Sequence, residues 1–192
     1  KEIEILSLDE QKAYMKILGH HRYGTLFLTS LYTGMRIGEL LALKWHNIDF
    51  ENATITVCES LRRVRVYNDD GSSSNEFITK SPKTQKGYRE IPIPKPLLLE
   101  LKKYKLSSNK SVDELVFCTR TGTPLRYNYI WHTHKSLCKK AGIRPITIHA
   151  LRHTFASRSI EAGIDVKTVS ELLGHTDTCL LYTSDAADER SS

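Results

Sequence analysis

The sequence predicts an α+β domain, mainly α-helical, around a small antiparallel β-sheet. Two observations carry this. Helical stretches with their own start and stop residues occupy both ends of the chain, and a central span of roughly residues 48 to 93 breaks into short β-like runs separated by polar turns. A third observation sets the scale. The chain has 192 residues, 40% hydrophobic and 26% charged, which suits one domain, or one domain with a small appendage, around a real core.

In chain order, Ser7-Leu8-Asp9-Glu10 reads as a capping box opening a helix through about Leu18. Tyr23 to Thr33 is apolar and ends at Gly34, as a buried helix with a glycine stop would. Ile37 to Trp45 has helical spacing and good helix formers. In NIDFENATITV, Glu51-Asn52 punctuates two short β-like runs. Three strand-like pieces follow, LRRVRVY, EFITK and YREIPIP, separated by NDDGSSSN and SPKTQKG. Pro92, Pro94 and Pro96 end the sheet region and lead into an amphipathic helix from Leu97 to Tyr104. LVFCT reads as a short strand and RTGTPL as a turn. Tyr127 to Ala141 is helical with Gly142 as its stop. Thr147 caps the next helix, IHALRHTFASRSIEA, which stops at Gly163, and Asp165 caps the last, which stops at Gly174. No internal repeat interrupts this order.

Lysine and arginine total 28 against 22 acidic residues, a formal charge of +6 with a pI near 9.1, which leans toward a polyanionic partner. Cys58, Cys118, Cys138 and Cys179 lie far apart with no C-x-x-C pair, as buried free thiols in a reducing cytoplasm would. No apolar stretch approaches the roughly 20 residues of a membrane span, and charge interrupts any signal-peptide core in KEIEILSLDEQ. No membrane partner is expected.

Four segments carry chemistry: TGMRIGEL (33–40), SPKTQKGYREIPIP (81–94), HALRH (149–153) and LLGH (172–175). Taken singly, each is ordinary. Arg36 at a helix start is commonly a solvated side chain, His153 a packed core histidine, and His175 a favourable charge at a helix C-terminus. Lys83, Lys86 and Arg89 suit any hairpin. Taken together, two arginines, a lysine and two histidines make a metal-free site for phosphoryl transfer. The arginine forks grip a phosphate through paired hydrogen bonds and neutralise its oxygens as charge builds. Glu39 is placed to orient Arg36. The lysine protonates a leaving alkoxide, and a histidine moves a proton to or from a hydroxyl nucleophile. His149 and His153 have H-x-x-x-H spacing, but there is no H-E-x-x-H and no third zinc ligand. There is also no magnesium-type carboxylate cluster and no phosphate-binding G-x-x-x-x-G-K loop. No metal and no cofactor are expected.

These segments resemble the boxes of the tyrosine recombinase (phage integrase) family. TGMRIGEL is similar to its T-G-x-R-x-x-E-L box, TKSPKTQKGYREIPIP to its lysine-bearing hairpin, HALRHTFAS to H-x-L-R-H-T-F, and ELLGH to L-G-H, in the family's order. The likeness runs from about residue 5 to 178. It is nearest to integrases of conjugative transposons and phages of Gram-positive bacteria in its hairpin wording and long 61–80 segment, and less near to the chromosome-dimer resolving branch. It implies the family's catalytic-domain fold and site-specific recombination of double-stranded DNA through a 3′-phosphotyrosyl intermediate, by a homo-tetramer on DNA in the full-length protein. Carried over residue by residue, Arg36 and Arg152 clamp the scissile phosphate. Lys83 is the general acid, with Lys86 as the alternative. His149 assists proton transfer and His175 hydrogen-bonds the phosphate. Arg62, Arg63, Lys86 and Arg89 are expected to contact DNA.

The family's nucleophilic tyrosine falls about nine residues past the L-G-H histidine, which here is Ser184. Tyr182 stands two residues early and is the only downstream candidate, with TSDAADERSS after it. Three readings of residues 179–192 follow, in this order: a non-native tail, so that the chain is truncated before its true nucleophile, Tyr182 is an accident and this chain itself is not expected to recombine DNA; a genuine disordered tail; or a shifted loop from which Tyr182 works. The catalytic domain is expected to span 1–178, with an N-terminal DNA-binding domain absent. Two other readings stay open: a non-catalytic DNA-binding fragment of the same fold, and a type IB topoisomerase-like relaxase.

Overall fold

The computed structural model describes residues 4–67, 72–81, 88–108 and 114–174. Lys83, Lys86, His175, Tyr182 and the tail 179–192 lie outside these residues. The described chain forms seven α-helices and five β-strands.

Helix α1 (Leu8–Leu18) opens with the expected capping box: the Glu10 amide donates to Ser7 Oγ at 3.2 Å, and the Ser7 amide donates to Glu10 Oε2 at 2.8 Å. Helix α2 (Gly24–Thr33) is buried along its whole length and packs against α1, α4 (Lys95–Ser107) and α6 (Ile148–Glu161). A helix buried all round must satisfy its polar side chains internally. Thr29 and Thr33 do so by donating to the carbonyls of Thr25 and Thr29, at 2.7 and 2.6 Å. Tyr14 of α1 reaches α5 (Tyr127–Lys140), where its hydroxyl donates to His134 Nδ1 at 2.6 Å. His134 Nε2 in turn donates to the Ile146 carbonyl at 3.0 Å. This places the ring proton on Nε2. Burial holds His134 neutral, with its pKa lowered to about 4.

The β-strands form two sheets. Strands β1 (Ile48–Asp49), β2 (Thr54–Val57) and β5 (Arg89–Pro92) pair antiparallel in the order β1-β2-β5, with Ile55 opposite Ile91 in the core. Strands β3 (Ser60–Tyr67) and β4 (Ser73–Lys80) make a separate hairpin, in register from Ser60↔Lys80 to Tyr67↔Ser73. Its base packs against α3 (Ile37–Ala42), and Leu61 is its buried anchor. Gly38 permits that approach, since a Cβ there would stand 2.6 Å from Ser60 Oγ.

Three expectations about secondary structure are corrected. Strand β4 begins at Ser73, inside the NDDGSSSN separator. The helix expected to run from Ile37 to Trp45 ends at Ala42. Leu43 turns extended and its carbonyl accepts from the Val116 amide at 2.8 Å, while a 3-10 turn covers Trp45–Asn47. The LVFCT segment supplies that partner. It forms isolated bridges, Lys44↔Leu115 and Cys118↔Pro124, and not a strand. Helix α7 (Val166–Leu173) closes the described chain, capped by Asp165, whose Oδ1 accepts from the Thr168 amide at 2.9 Å. Among the described residues no helix is long and apolar enough to cross a membrane.

Candidate active site

The site forms where three chain turns meet: the α2–α3 junction, the start of α6, and the end of α7. Gly34 makes the first turn in the left-handed region, with φ of 62°. A side chain there would drive into Phe155 and Leu173, with a Cβ only 2.5 Å from Phe155 Cδ1. Glycine therefore lets the junction sit directly on α6 and α7. Arg36 follows as the extended residue that begins α3, with its side chain 43% exposed.

Glu39 fixes that arginine. One of its oxygens accepts the Arg36 amide at 2.8 Å, and the other accepts Arg36 Nη1 at 3.1 Å. Burial pushes the Glu39 carboxyl up. The hydrogen bonds and charge of Arg89, with those of Arg36, outweigh burial and hold it below the ordinary carboxylate range.

Arg152 projects from α6 and is only 3% exposed. Its Nη1 donates to the Gly34 carbonyl and its Nη2 to the Leu173 carbonyl, both at 2.7 Å. Burial and then the neighbouring Arg36 lower its pKa to about 9, which still leaves it charged at neutral pH. His149 lies one turn earlier on α6, its ring edge-to-face with His153 at 4.6 Å between centroids. Burial, then His153, Arg152 and Arg36, lower the His149 pKa to about 4. His149 is therefore a neutral imidazole at pH 7, able to accept a proton. His153 is lowered as well, by burial and Arg152.

The structure thus brings together Arg36, His149 and Arg152. A cleft of about 850 Å³ opens beside them, lined by Arg36 and His149 and also by Arg62, Arg63, Phe77 and Tyr127. Arg62 and Arg63 are exposed on β3, as a DNA contact requires. Arg89 is not on that surface. Its side chain is 6% exposed, its Nη1 and Nη2 donate to Glu39 at 3.0 and 2.8 Å, and its Nε donates to the Leu172 carbonyl at 2.6 Å. Sequence reasoning expected it to contact DNA. One available signal was strand alternation: Arg89 shares a face of β5 with buried Ile91. Among the described residues no group of three or more His, Cys, Asp or Glu is placed to hold a metal ion.

Comparison with known proteins bears on the family and the fold. The profile of the phage integrase family matches residues 5–186. A protein named tyrosine recombinase XerC-like, from Caldanaerobacter subterraneus subsp. tengcongensis, is 35% identical over 95% of the chain and 50% of its own length. The ICEBs1 integrase of Bacillus subtilis is 27% identical over 91% of the chain and 48% of its own length. The chain spans about half the length of these curated relatives. Among solved structures, the Tn1549 transposon integrase in complex with circular intermediate DNA superposes with a TM-score of 0.81 at 22% identity, covering 100% of this chain and 68% of that one. A XerA recombinase crystal structure superposes with a TM-score of 0.73 at 24% identity, covering 94% and 59%. These structural likenesses speak to the fold.

Proposed function

The chain belongs to the phage integrase family, and from that membership and its arginine–histidine site we propose that the protein containing it is a tyrosine recombinase that cuts and rejoins double-stranded DNA at specific sites. The observation that carries the reading is the meeting of three segments far apart in sequence: Arg36 and His149 line one cleft, and buried Arg152 ties the Gly34 and Leu173 carbonyls together beside it.

The chemistry follows from those groups. Arg36 and Arg152 sit on the non-bridging oxygens of the scissile phosphodiester, where positive charge counts most as the transition state forms. Two of Arg36's five N–H donors are committed, to Glu39 and the Gly174 carbonyl, and the rest of its fork is available to phosphate. A tyrosine oxygen attacks phosphorus, the bond to the 5′ oxygen breaks, and a 3′-phosphotyrosyl bond forms. His149 takes up the phenolic proton, and Lys83, with Lys86 as the alternative, protonates the departing 5′ oxygen. His175 hydrogen-bonds the phosphate. The bond energy stays in the ester, so rejoining needs no ATP. The nucleophile is a tyrosine of the full-length protein beyond residue 178, and Tyr182 serves only if residues 179–192 belong to it.

We assign the protein to a mobile element in the cytoplasm, working as a homo-tetramer on DNA. Its relatives include the ICEBs1 integrase, and its structural neighbours the Tn1549 integrase. The test uses the full-length protein and a nicked duplex library with a randomised core, so that cleaved strands stay trapped. A covalent protein–DNA adduct is expected. Arg152→Gln should reduce it by about a thousandfold, on the scale of losing preorganised transition-state charge. Tyr182→Phe should abolish it if Tyr182 is the nucleophile. A wild-type protein that forms no adduct with any library member refutes the reading.

A further inference from the structure

Three guanidinium groups hold three successive carbonyls at the end of α7. Arg89 of β5 takes Leu172 at 2.6 Å, Arg152 of α6 takes Leu173 at 2.7 Å, and Arg36 at the start of α3 takes Gly174 at 3.1 Å. The last carbonyls of a helix have no intrahelical donors, and they form the negative end of its dipole. Cationic forks are well matched to them. Two of the three forks, Arg36 and Arg89, also meet on the same carboxylate, Glu39.

We infer that Arg89 is a positioning residue: it locks Glu39, and through it Arg36, to the end of α7, and so fixes Leu172 to Gly174 relative to the two phosphate arginines. The inference rests on the reading of the site as a phosphate-transfer centre. It departs from the expectation that Arg89 touches DNA. Its fork is spent on a buried carboxylate in two parallel hydrogen bonds, and its Nε on the helix carbonyl. A lysine supplies the charge without the planar fork and cannot make all three contacts at once. Packing adds to the lock. Gly174 has φ of 65°, and a Cβ there would stand 3.0 Å from Arg89 Nη1 and 3.3 Å from its Cδ. The glycine of the L-G-H box therefore serves two purposes: it makes the left-handed turn, and it leaves room for Arg89.

The test compares wild type with Arg89→Lys and Arg89→Met. Arg89→Lys is included because it leaves a positive charge beside buried Glu39 and so favours a folded variant. Hydrogen–deuterium exchange on the present chain should be faster across residues 166–174 in Arg89→Lys and unchanged in α1. The log–log salt slope of duplex binding should match wild type. In the full-length protein, cleavage at saturating DNA should fall by about tenfold to a hundredfold, the scale of a slightly misplaced reacting group, with Kd moving by less than about twofold. A salt slope smaller by about one with unchanged exchange would instead make Arg89 a direct phosphate contact. Wild-type cleavage by Arg89→Lys would also overturn the inference. If the wild-type full-length protein cleaves no DNA, the functional reading fails, while the exchange comparison still decides whether Arg89 holds α7.

Discussion

Arginines on the β3–β4 hairpin and arginines around the end of α7 are the same residue put to opposite uses. Arg62 and Arg63 stand exposed on β3, and Arg65 donates from Nε across its own hairpin to Ser73 Oγ at 2.9 Å. Arg89 and Arg152 are buried, and each fork is oriented by backbone carbonyls or by Glu39. Exposed cations act through summed charge, which salt screens. Buried, oriented cations act through geometry prepared before substrate arrives, and they carry a folding cost that their partners must offset. Under the proposed function, the contrast separates a part of the molecule that would attract DNA from a part that would act on one phosphate.

The sharpest way to break this contrast is to remove the shared carboxylate. Glu39→Ala leaves the Arg89 guanidinium buried without its counter-charge and frees the Arg36 amide. Loss of one partner from a buried pair costs about 3–5 kcal/mol. Urea denaturation should show that loss. Glu39→Gln keeps the shape and should cost less. A Glu39→Ala protein as stable as wild type would mean that the pair contributes nothing to the fold.

Acidity sharpens the comparison next, because the buried region carries the shifted histidines. His149 and His134 have folded pKa values near 4, below the ordinary 6.5. The unfolded chain therefore binds protons first as pH falls. The stability these residues contribute is complete above 6.5 and is lost progressively between 6.5 and 4. His149→Asn should flatten part of that slope. The two histidines should diverge when duplex DNA is added: burial and then His153 lower His149 most, but Arg152 and Arg36 add to that, and a phosphodiester offsets their part while not reaching His134, enclosed between Tyr14 and Ile146. Ring NMR titration should show the His149 pKa rising and that of His134 unmoved. A His149 that titrates identically with and without DNA would place the phosphate elsewhere.

Local chemistry was readable in the sequence, and pairing at a distance was not. The caps at Ser7, Thr147 and Asp165 and the glycine turns at Gly34 and Gly174 appear where expected, because each depends on residues within one helical turn. Strand β4 begins at Ser73, inside a stretch that composition marks as loop, because its ladder partner Tyr67 lies across the hairpin. Helix α3 stops at Ala42 because Val116, far along the chain, takes the Leu43 carbonyl. The same division runs through the site. Arg36, Glu39, His149 and Arg152 stand out as members of short boxes. Arg89 sits among hairpin lysines; alternation with Ile91 hints at its inward face, but its partners Glu39 and Leu172 are set by pairing at a distance.

The smallest expected effect falls on the exposed side of the comparison. Arg62→Gln and Arg63→Gln remove charges that hold no part of the core, so each should leave stability within about 0.5 kcal/mol of wild type. Their influence belongs to DNA. If each neutralises one backbone phosphate, each substitution should lower the log–log salt slope of duplex binding by about one and weaken binding evenly across sequences. The double variant should lower the slope by about two if each side chain, on its own face of β3, neutralises its own phosphate. An Arg89 substitution should give the converse pattern, with the slope kept and catalysis lost. If Arg62→Gln instead lowered the cleavage rate at saturating DNA, the division between attraction and chemistry would fail, and the hairpin would have to be counted as part of the catalytic apparatus.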